Sequence, residues 1–138
     1  MRDKVFLDTN ILIYMYAKDD ENKRKVAQQV LDDNICLTSI QVLNEISNVL
    51  SKKFLLSTMQ ILSILDNIEM VCDDALPVQR ETINTALRIK DRYGFSFFDC
   101  LMLASAIEGN CHVIFTEDMS DGQIINETLK IVNPFTLV

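Results

Sequence analysis

Four acidic residues occupy positions where a charge needs an explanation: Asp8, Glu45, Asp99 and Asp118. Asp8 follows the apolar run Val5-Phe6-Leu7 directly, at the carboxyl end of a strand, the edge where open α/β sheets bind ligands. Taken alone, its simpler reading is the N-cap of the next helix. Glu45 has Val42, Ile46 and Val49 around it at spacings that share one face of a 3.6-residue helix. A carboxylate inside an apolar stripe is desolvated, protonated or bound to something positive. If Leu43 and Leu50 face the core instead, Glu45 points outward. Asp99 repeats the pattern with Met102, Leu103 and Ala106, in a stretch (97–107) that is apolar nearly all round, as a central buried helix is. The helix dipole favours an acid there by about 0.3–1 kcal/mol, which does not offset burial without hydrogen bonds or a cation. Asp118 follows the run Val113-Ile114-Phe115 in Thr116-Glu117-Asp118, with Asp121 and Gly122 close behind; alone it would be a turn acid.

Two strand-end acids and two stripe acids can meet only at one edge of a sheet. Held together, four carboxylates raise one another's pKa unless a cation lies between them. An all-oxygen donor set points to Mg²⁺ or Mn²⁺. The single histidine, His112 beside Cys111, argues against a His-rich zinc or iron centre and reads as structural. Carboxylate–metal sites of this kind hydrolyse phosphodiesters, activating water and stabilising charge on the attacking and leaving oxygens.

The elements that must position these acids follow from periodicity. Val5-Phe6-Leu7, Ile35-Cys36-Leu37, Val113-Ile114-Phe115 and Leu129-Lys130-Ile131-Val132 are strand-like and mostly apolar at consecutive positions, as in a parallel sheet covered on both faces. Helical periodicity runs through residues 11–17, 20–33, 39–54, 57–67, 78–93 and 97–108, with Ser39, Ser57 and Ser96 at N-cap positions and Gly94 and Gly109 at C-cap positions. A further strand is expected near 69–72, and a helix between the last two strands. The fold expected is α/β: a three-layer α/β/α sandwich around a central, mostly parallel sheet of four or five strands.

At 138 residues the chain is expected to form a single domain spanning 1–138. Its 49% hydrophobic and 24% charged residues match globular proteins and exclude disorder. A net charge of -7 disfavours a protein that coats nucleic acid electrostatically, but not an enzyme that holds metal ions at carboxylates. The four cysteines form no C-x-x-C pair, which removes zinc and thioredoxin-like motifs and leaves small buried residues in a reducing compartment. Asp8 and Asn10 interrupt any signal-peptide run, and the longest apolar run, 100–107, is too short to span a bilayer. A cytoplasmic location with no membrane partner is expected.

With its motifs in order, the sequence resembles the PIN-domain nucleases, and more closely the VapC-type toxins of bacterial and archaeal toxin–antitoxin pairs. The likeness covers nearly the whole chain. It is carried by Phe6-Leu7-Asp8-Thr9-Asn10, Asn44-Glu45, Ser96-Phe97-Phe98-Asp99, Thr116-Glu117-Asp118-Met119 with Asp121-Gly122, and the ending Val132-Asn133-Pro134-Phe135. The resemblance implies an endoribonuclease dependent on Mg²⁺ or Mn²⁺, with Asp8, Glu45, Asp99 and Asp118 as catalytic metal-binding acids. Thr9, Asn10 and Thr116 would then orient carboxylates through hydrogen bonds. Glu117, Asp118 and Asp121 all lie within reach of one turn, and Asp118 is taken as the fourth acid. The resemblance also implies an RNA substrate, a homodimer, and a small antitoxin whose C-terminal segment enters the active-site groove.

Lys23-Arg24-Lys25, Lys52-Lys53 and the Arg88/Lys90/Arg92 group are candidate contacts to an RNA backbone, with Arg88 and Arg92 carried forward as substrate-binding residues; the bland reading of each is a solvated face. Tyr14 and Tyr16 could stack on bases or pack inside, and no contact is assigned to them. Two other classes compete. Phosphoryl transfer through an aspartyl-phosphate is disfavoured because Asp8-Thr9-Asn10 lacks the second acid of a D-x-D pair. A catalytically inert PIN fold used as a protein-binding module has no reason to keep four costly acids.

Overall fold

Short apolar runs that do not alternate can bury both faces only at the centre of a covered sheet. The computed structural model of the chain describes residues 2–16, 20–73 and 75–136. In it β1 (Lys4–Leu7) lies between β2 (Ile35–Leu37) and β3 (Val113–Phe115), parallel to both, with Val5 opposite Cys36 and Leu7 opposite Phe115. Outside β3 come β5 (Leu129–Val132), again parallel, and the two-residue β4 (Ile124–Ile125), antiparallel at the edge. The sheet order is β2-β1-β3-β5-β4. Val5, Phe6 and Leu7 on the inner strand are almost wholly buried, which is why their run shows no polar alternation. The α/β class and the mostly parallel sheet are as expected.

The helices are α1 (Thr9–Tyr16), α2 (Glu21–Asp33), α3 (Ile40–Lys52), α4 (Thr58–Val71), α5 (Arg80–Tyr93) and α6 (Phe97–Glu108). Ala17, expected to end the first helix, lies outside the described residues. Ser39, Ser57 and Ser96 each accept a backbone N–H of the turn they open, from Val42, Gln60 and Asp99, so the three N-caps stand as read. Gly94 ends α5 in the left-handed region at φ 80°, where a side chain would be strained. Gly109 is different. Its φ is ordinary, and a Cβ there would stand 2.9 Å from Leu76 Cδ1 and 3.2 Å from Leu37 Cδ1, ends of flexible side chains that can turn aside, so handedness does not call for glycine here.

Two expectations are corrected. The strand expected near 69–72 is the last turn of α4, because Ile61, Ile64, Leu65, Ile68 and Cys72 pack inward at helical spacing while Met70 is 80% exposed. A short apolar run cannot tell the two periods apart. The helix expected between the last two strands is instead a hairpin. Thr128 N–H donates to the Ile125 carbonyl at 3.2 Å across Asn126 and Glu127, which have φ of 49° and 65°; two positive φ values make this the type I′ turn that joins twisted antiparallel strands.

Helix α6 runs against β3, β5 and α5, and every residue from Cys100 to Ala106 is buried. An apolar helix packed all round is the core's rigid rod, and it carries Asp99 at its first turn. Leu103 is fully buried at its midpoint. Leu103→Ala is therefore expected to cost about 2–5 kcal/mol, read as a lower urea midpoint with an unchanged slope.

Candidate active site

Parallel pairing of β1 with β3 sets two strand ends side by side, and the acids are built outward from there. Asp8 N–H donates to the Phe115 carbonyl at 3.1 Å, which brings the residue after β1 against the residue after β3, Thr116. The Thr116 hydroxyl donates to Asp8 Oδ2 at 2.6 Å, and Thr9 N–H donates to Asp8 Oδ1 at 2.6 Å. One residue on, the Thr9 hydroxyl donates to Glu45 Oε2 at 2.7 Å, tying the start of α1 to the middle of α3. The Asn10 amide donates to Asp118 Oδ2 at 2.8 Å. Each of the three groups expected to orient a carboxylate is thus bonded to one.

These side chains surround one cavity of about 390 Å³, lined by Asp8, Thr9, Asn10 and Ile13, by Glu45, Asn48 and Val49 of α3, by Asp99 and Met102 of α6, and by Asp118. Strand ends supply two of the acids, and one face each of α3 and α6 supplies the others. Asp8 is buried, Glu45 and Asp99 are half-buried, and Asp118 is exposed at the rim. Glu45 therefore shares the wall with Val49, as the apolar-stripe reading has it, and does not point away.

Burial pushes the Asp8 carboxyl up from 3.8 to about 6, against the lowering effect of its bonds from Thr116 and Thr9, and the charges of Glu45 and Asp118 push the same way. Asp99 is also raised, chiefly by burial, with Asp118 and Glu45 adding to it. The acids are close enough to feel one another. Yet among the described residues no three of His, Cys, Asp and Glu are gathered into a ready cage for an ion. Mutual repulsion and a separate donor on Asp8, Glu45 and Asp118 hold the carboxylates along the wall.

Such a wall fits a hard divalent cation. Every donor group is oxygen, the charge is negative, and Mg²⁺ binds through one or two carboxylates while keeping several waters. The Asn10 Oδ1 atom is buried beside the acids with no hydrogen-bond partner among the described residues, an acceptor left over for a metal-bound water.

Of the three acids in one turn, the cavity takes Asp118. Glu117 turns to the other side, where its Oε2 accepts from Lys23 Nζ at 2.8 Å and its Oε1 accepts from the Tyr14 hydroxyl at 2.5 Å. Asp121 accepts from Asn133 N–H at 2.8 Å. Residues beyond a strand end keep alternating sides, so Thr116 and Asp118 face the acids while Glu117 faces α1 and α2.

The basic candidates fare differently. Lys23 is committed to Glu117, Arg24 grips Glu21 through two bonds, Arg88 lies 3.6 Å from Glu81 at the surface, and Arg92 lies over the Tyr93 ring. Neither Arg88 nor Arg92 lines the cavity. Tyr14 meets Phe135 edge-on at 5.2 Å, Tyr16 donates to Asn67, and the exposed His112 joins the sheet through its backbone, its N–H donating to the Lys4 carbonyl.

Gln41, whose residue type does not announce it, also belongs to the site. It is buried on α3, one turn before Glu45, and its Nε2 donates both to Glu45 Oε1 at 3.1 Å and to the Phe98 carbonyl at 3.0 Å. That one amide fixes the middle of α3 to the opening of α6. Its spacing four residues before Glu45 was the available signal, with Asn48 three residues after it on the same face.

Comparison with known families matches the PIN domain to residues 5–120. The chain belongs to the PIN domain family. The matched stretch of the PIN domain runs from β1 past Asp118 and so encloses all four acids. Its fold is shared with a chain of the toxin–antitoxin complex from Klebsiella pneumoniae (TM-score 0.68, 20% identity, covering 95% of this chain and 98% of that one). It is shared also with VapBC2 from Rickettsia felis bound to a promoter DNA fragment (TM-score 0.65, 20% identity, 94% and 99% covered). A third structure of the same fold is VapC20 of Mycobacterium tuberculosis, described as a sarcin–ricin loop cleaving toxin (TM-score 0.65, 16% identity, 80% and 86% covered). No curated protein matches this PIN domain in sequence. Among its described residues no helix is long and apolar enough to cross a membrane.

Proposed function

We propose that this PIN domain is a metal-dependent endoribonuclease, the toxin of a VapBC-type pair, hydrolysing RNA phosphodiester bonds at the cavity of Asp8, Glu45, Asp99 and Asp118. The observation that carries it is the convergence of four carboxylates from four separate chain segments on one cavity of about 390 Å³, beside the unpartnered Asn10 oxygen. The ribonuclease reading is supported by the likeness to VapC20, and the antitoxin partner by the likeness to chains of toxin–antitoxin complexes.

Asp8, Glu45, Asp99 and Asp118 would hold Mg²⁺ or Mn²⁺, which supplies water activation and charge stabilisation at the phosphate when bound. The chain's own part is positional. Thr116 and Thr9 set the Asp8 carboxylate, Thr9 and Gln41 grip both oxygens of Glu45, and Asn10 steadies Asp118. Ile13, Val49 and Met102 make the apolar part of the wall, lowering the local dielectric and strengthening each electrostatic contact. The four cysteines are buried free thiols, three of them pushed up to about 12 by burial, as suits a protein working in the reducing cytoplasm.

The test is a gel of labelled cellular tRNA and rRNA incubated with pure protein and Mg²⁺, Mn²⁺ or EDTA. Cleavage is expected with either metal and none with EDTA, with a melting temperature that rises as Mn²⁺ is added. No cleavage under any condition, with the mass spectrum free of any co-purified partner, overturns this reading in favour of the inert binding module. Molar mass in solution checks the homodimer that the resemblance implies.

A further inference from the structure

Phe98 is 62% exposed and is the one aromatic among the large apolar side chains left in solvent within the described residues. An isolated exposed apolar residue needs no explanation by itself. This one stands one residue before Asp99, at the open end of the buried helix α6, with Ser96 as the N-cap. On a 3.6-residue period it lies about 40° from Met102 and about 100° from Asp99, and both of those line the cavity. Side chains at the start of a helix lean outward past its first turn, so the ring flanks the cavity mouth without filling it.

The ring's base is held fast. The Phe98 carbonyl accepts from Gln41 Nε2, the amide that also grips Glu45, so one side chain links Phe98 to the acid wall. Phe97, half-buried against the core, meets the Phe98 ring in a T-shaped contact at 5.5 Å and 70°, and most of the Phe98 side chain remains in solvent. An exposed aromatic ring one residue from an acid of the wall has nothing charged to offer an RNA backbone. It offers what every nucleobase can use, a π surface.

We infer that Phe98 is a stacking platform for a base of the single-stranded RNA whose phosphate enters the cavity. This rests on the ribonuclease reading and adds to it a contact that selects unpaired over paired RNA, because a base inside a duplex has no free face. Lys23, Arg24 and Arg88 are paired with Glu117, Glu21 and Glu81, and among the described residues no basic side chain lines the cavity, so stacking beside it supplies a contact that the acid wall does not.

The chain has no tryptophan, so Phe98→Trp installs a single reporter at the platform. In EDTA, adding labelled oligoadenylate or oligouridylate is expected to quench its emission, and an abasic ribose-phosphate strand of equal length is expected not to. In Mg²⁺, Phe98→Ala is expected to raise KM for single-stranded RNA by about tenfold or more with kcat within about twofold, as loss of one base–aromatic contact does. Phe98→Tyr and Phe98→Trp are expected to restore KM, and Phe98→Leu is not. Wild-type cleavage with KM unchanged in Phe98→Ala, rescue by leucine, or equal quenching by the abasic strand would each overturn the platform while leaving the nuclease intact. A wild type that neither cleaves nor binds RNA would remove the nuclease reading and this contact with it.

Discussion

Asp8→Asn is expected to abolish RNA cleavage and yet to make the metal-free protein more stable at neutral pH. The wild-type carboxyl titrates near 6 in the folded chain against 3.8 unfolded, because it is buried beside Glu45 and Asp118. A raised folded value means that the folded state holds the proton more tightly. The stability this contributes is complete below about pH 4 and is lost as pH rises through 6. The gap corresponds to about 3 kcal/mol by pH 7. Asparagine has the same shape, still accepts from Thr9 N–H, and can donate to a rotated Thr116 hydroxyl, at a loss of about 1 kcal/mol for the weaker bonds. The variant should therefore gain on the order of 2 kcal/mol at pH 7 in EDTA and lose Asp8's share of the fall between pH 4 and 7, keeping the share that the raised Asp99 carboxyl supplies. Added Mn²⁺ should reverse the order, stabilising the wild type and leaving the variant unmoved. Urea titrations at several pH values, with EDTA and with Mn²⁺, check this. A wild type whose stability is flat over that range would remove the buried, repelled carboxylate from the account.

The same burial logic explains what could be read from residue types. Asp8 and Asp118 follow apolar runs, and Asp99 opens a helix with no polar face, so a charge at each is conspicuous in the sequence itself. Serine caps are equally local, since a hydroxyl satisfies the free N–H of its own turn. What stayed hidden depends on partners far along the chain or on a residue doing an uncommon task. Lys23 and Glu117 are 94 positions apart, and nothing near either one announces the pair. Glu127 sits in the left-handed region of a type I′ turn where glycine would have given the hairpin away. Gln41 looks like an ordinary surface residue until α6 is laid against α3 and its amide meets the Phe98 carbonyl. The short run at 69–72 fits either period, and only the inward spacing of Ile64, Ile68 and Cys72 decides for a helix.

The other large effect separates the three acids of a single turn. Asp118→Asn is expected to lower cleavage by more than about 100-fold, beyond the 10- to 100-fold that loss of an outer hydrogen-bond partner costs, and to weaken Mn²⁺ binding in calorimetry. Its carboxylate stands at the cavity rim, charge-coupled to Asp8 and Asp99, and accepts from Asn10. Glu117→Gln should do something else. It removes the carboxylate that anchors Lys23 and Tyr14, a cluster that also holds Lys23 4.8 Å from the Tyr14 ring centre and 5.3 Å from that of Phe135. Loss of that half-buried anchor is expected to cost about 1 kcal/mol, a fall of about 3–5 °C in Tm, with Mn²⁺ affinity unchanged. Asp121→Asn only weakens a cap on Asn133 N–H and should leave both readouts near wild type. The three variants thus separate metal binding from stability within five residues. A collapse of Mn²⁺ affinity in Glu117→Gln with affinity kept in Asp118→Asn would reverse the assignment and move the fourth ligand to the other side of the strand end.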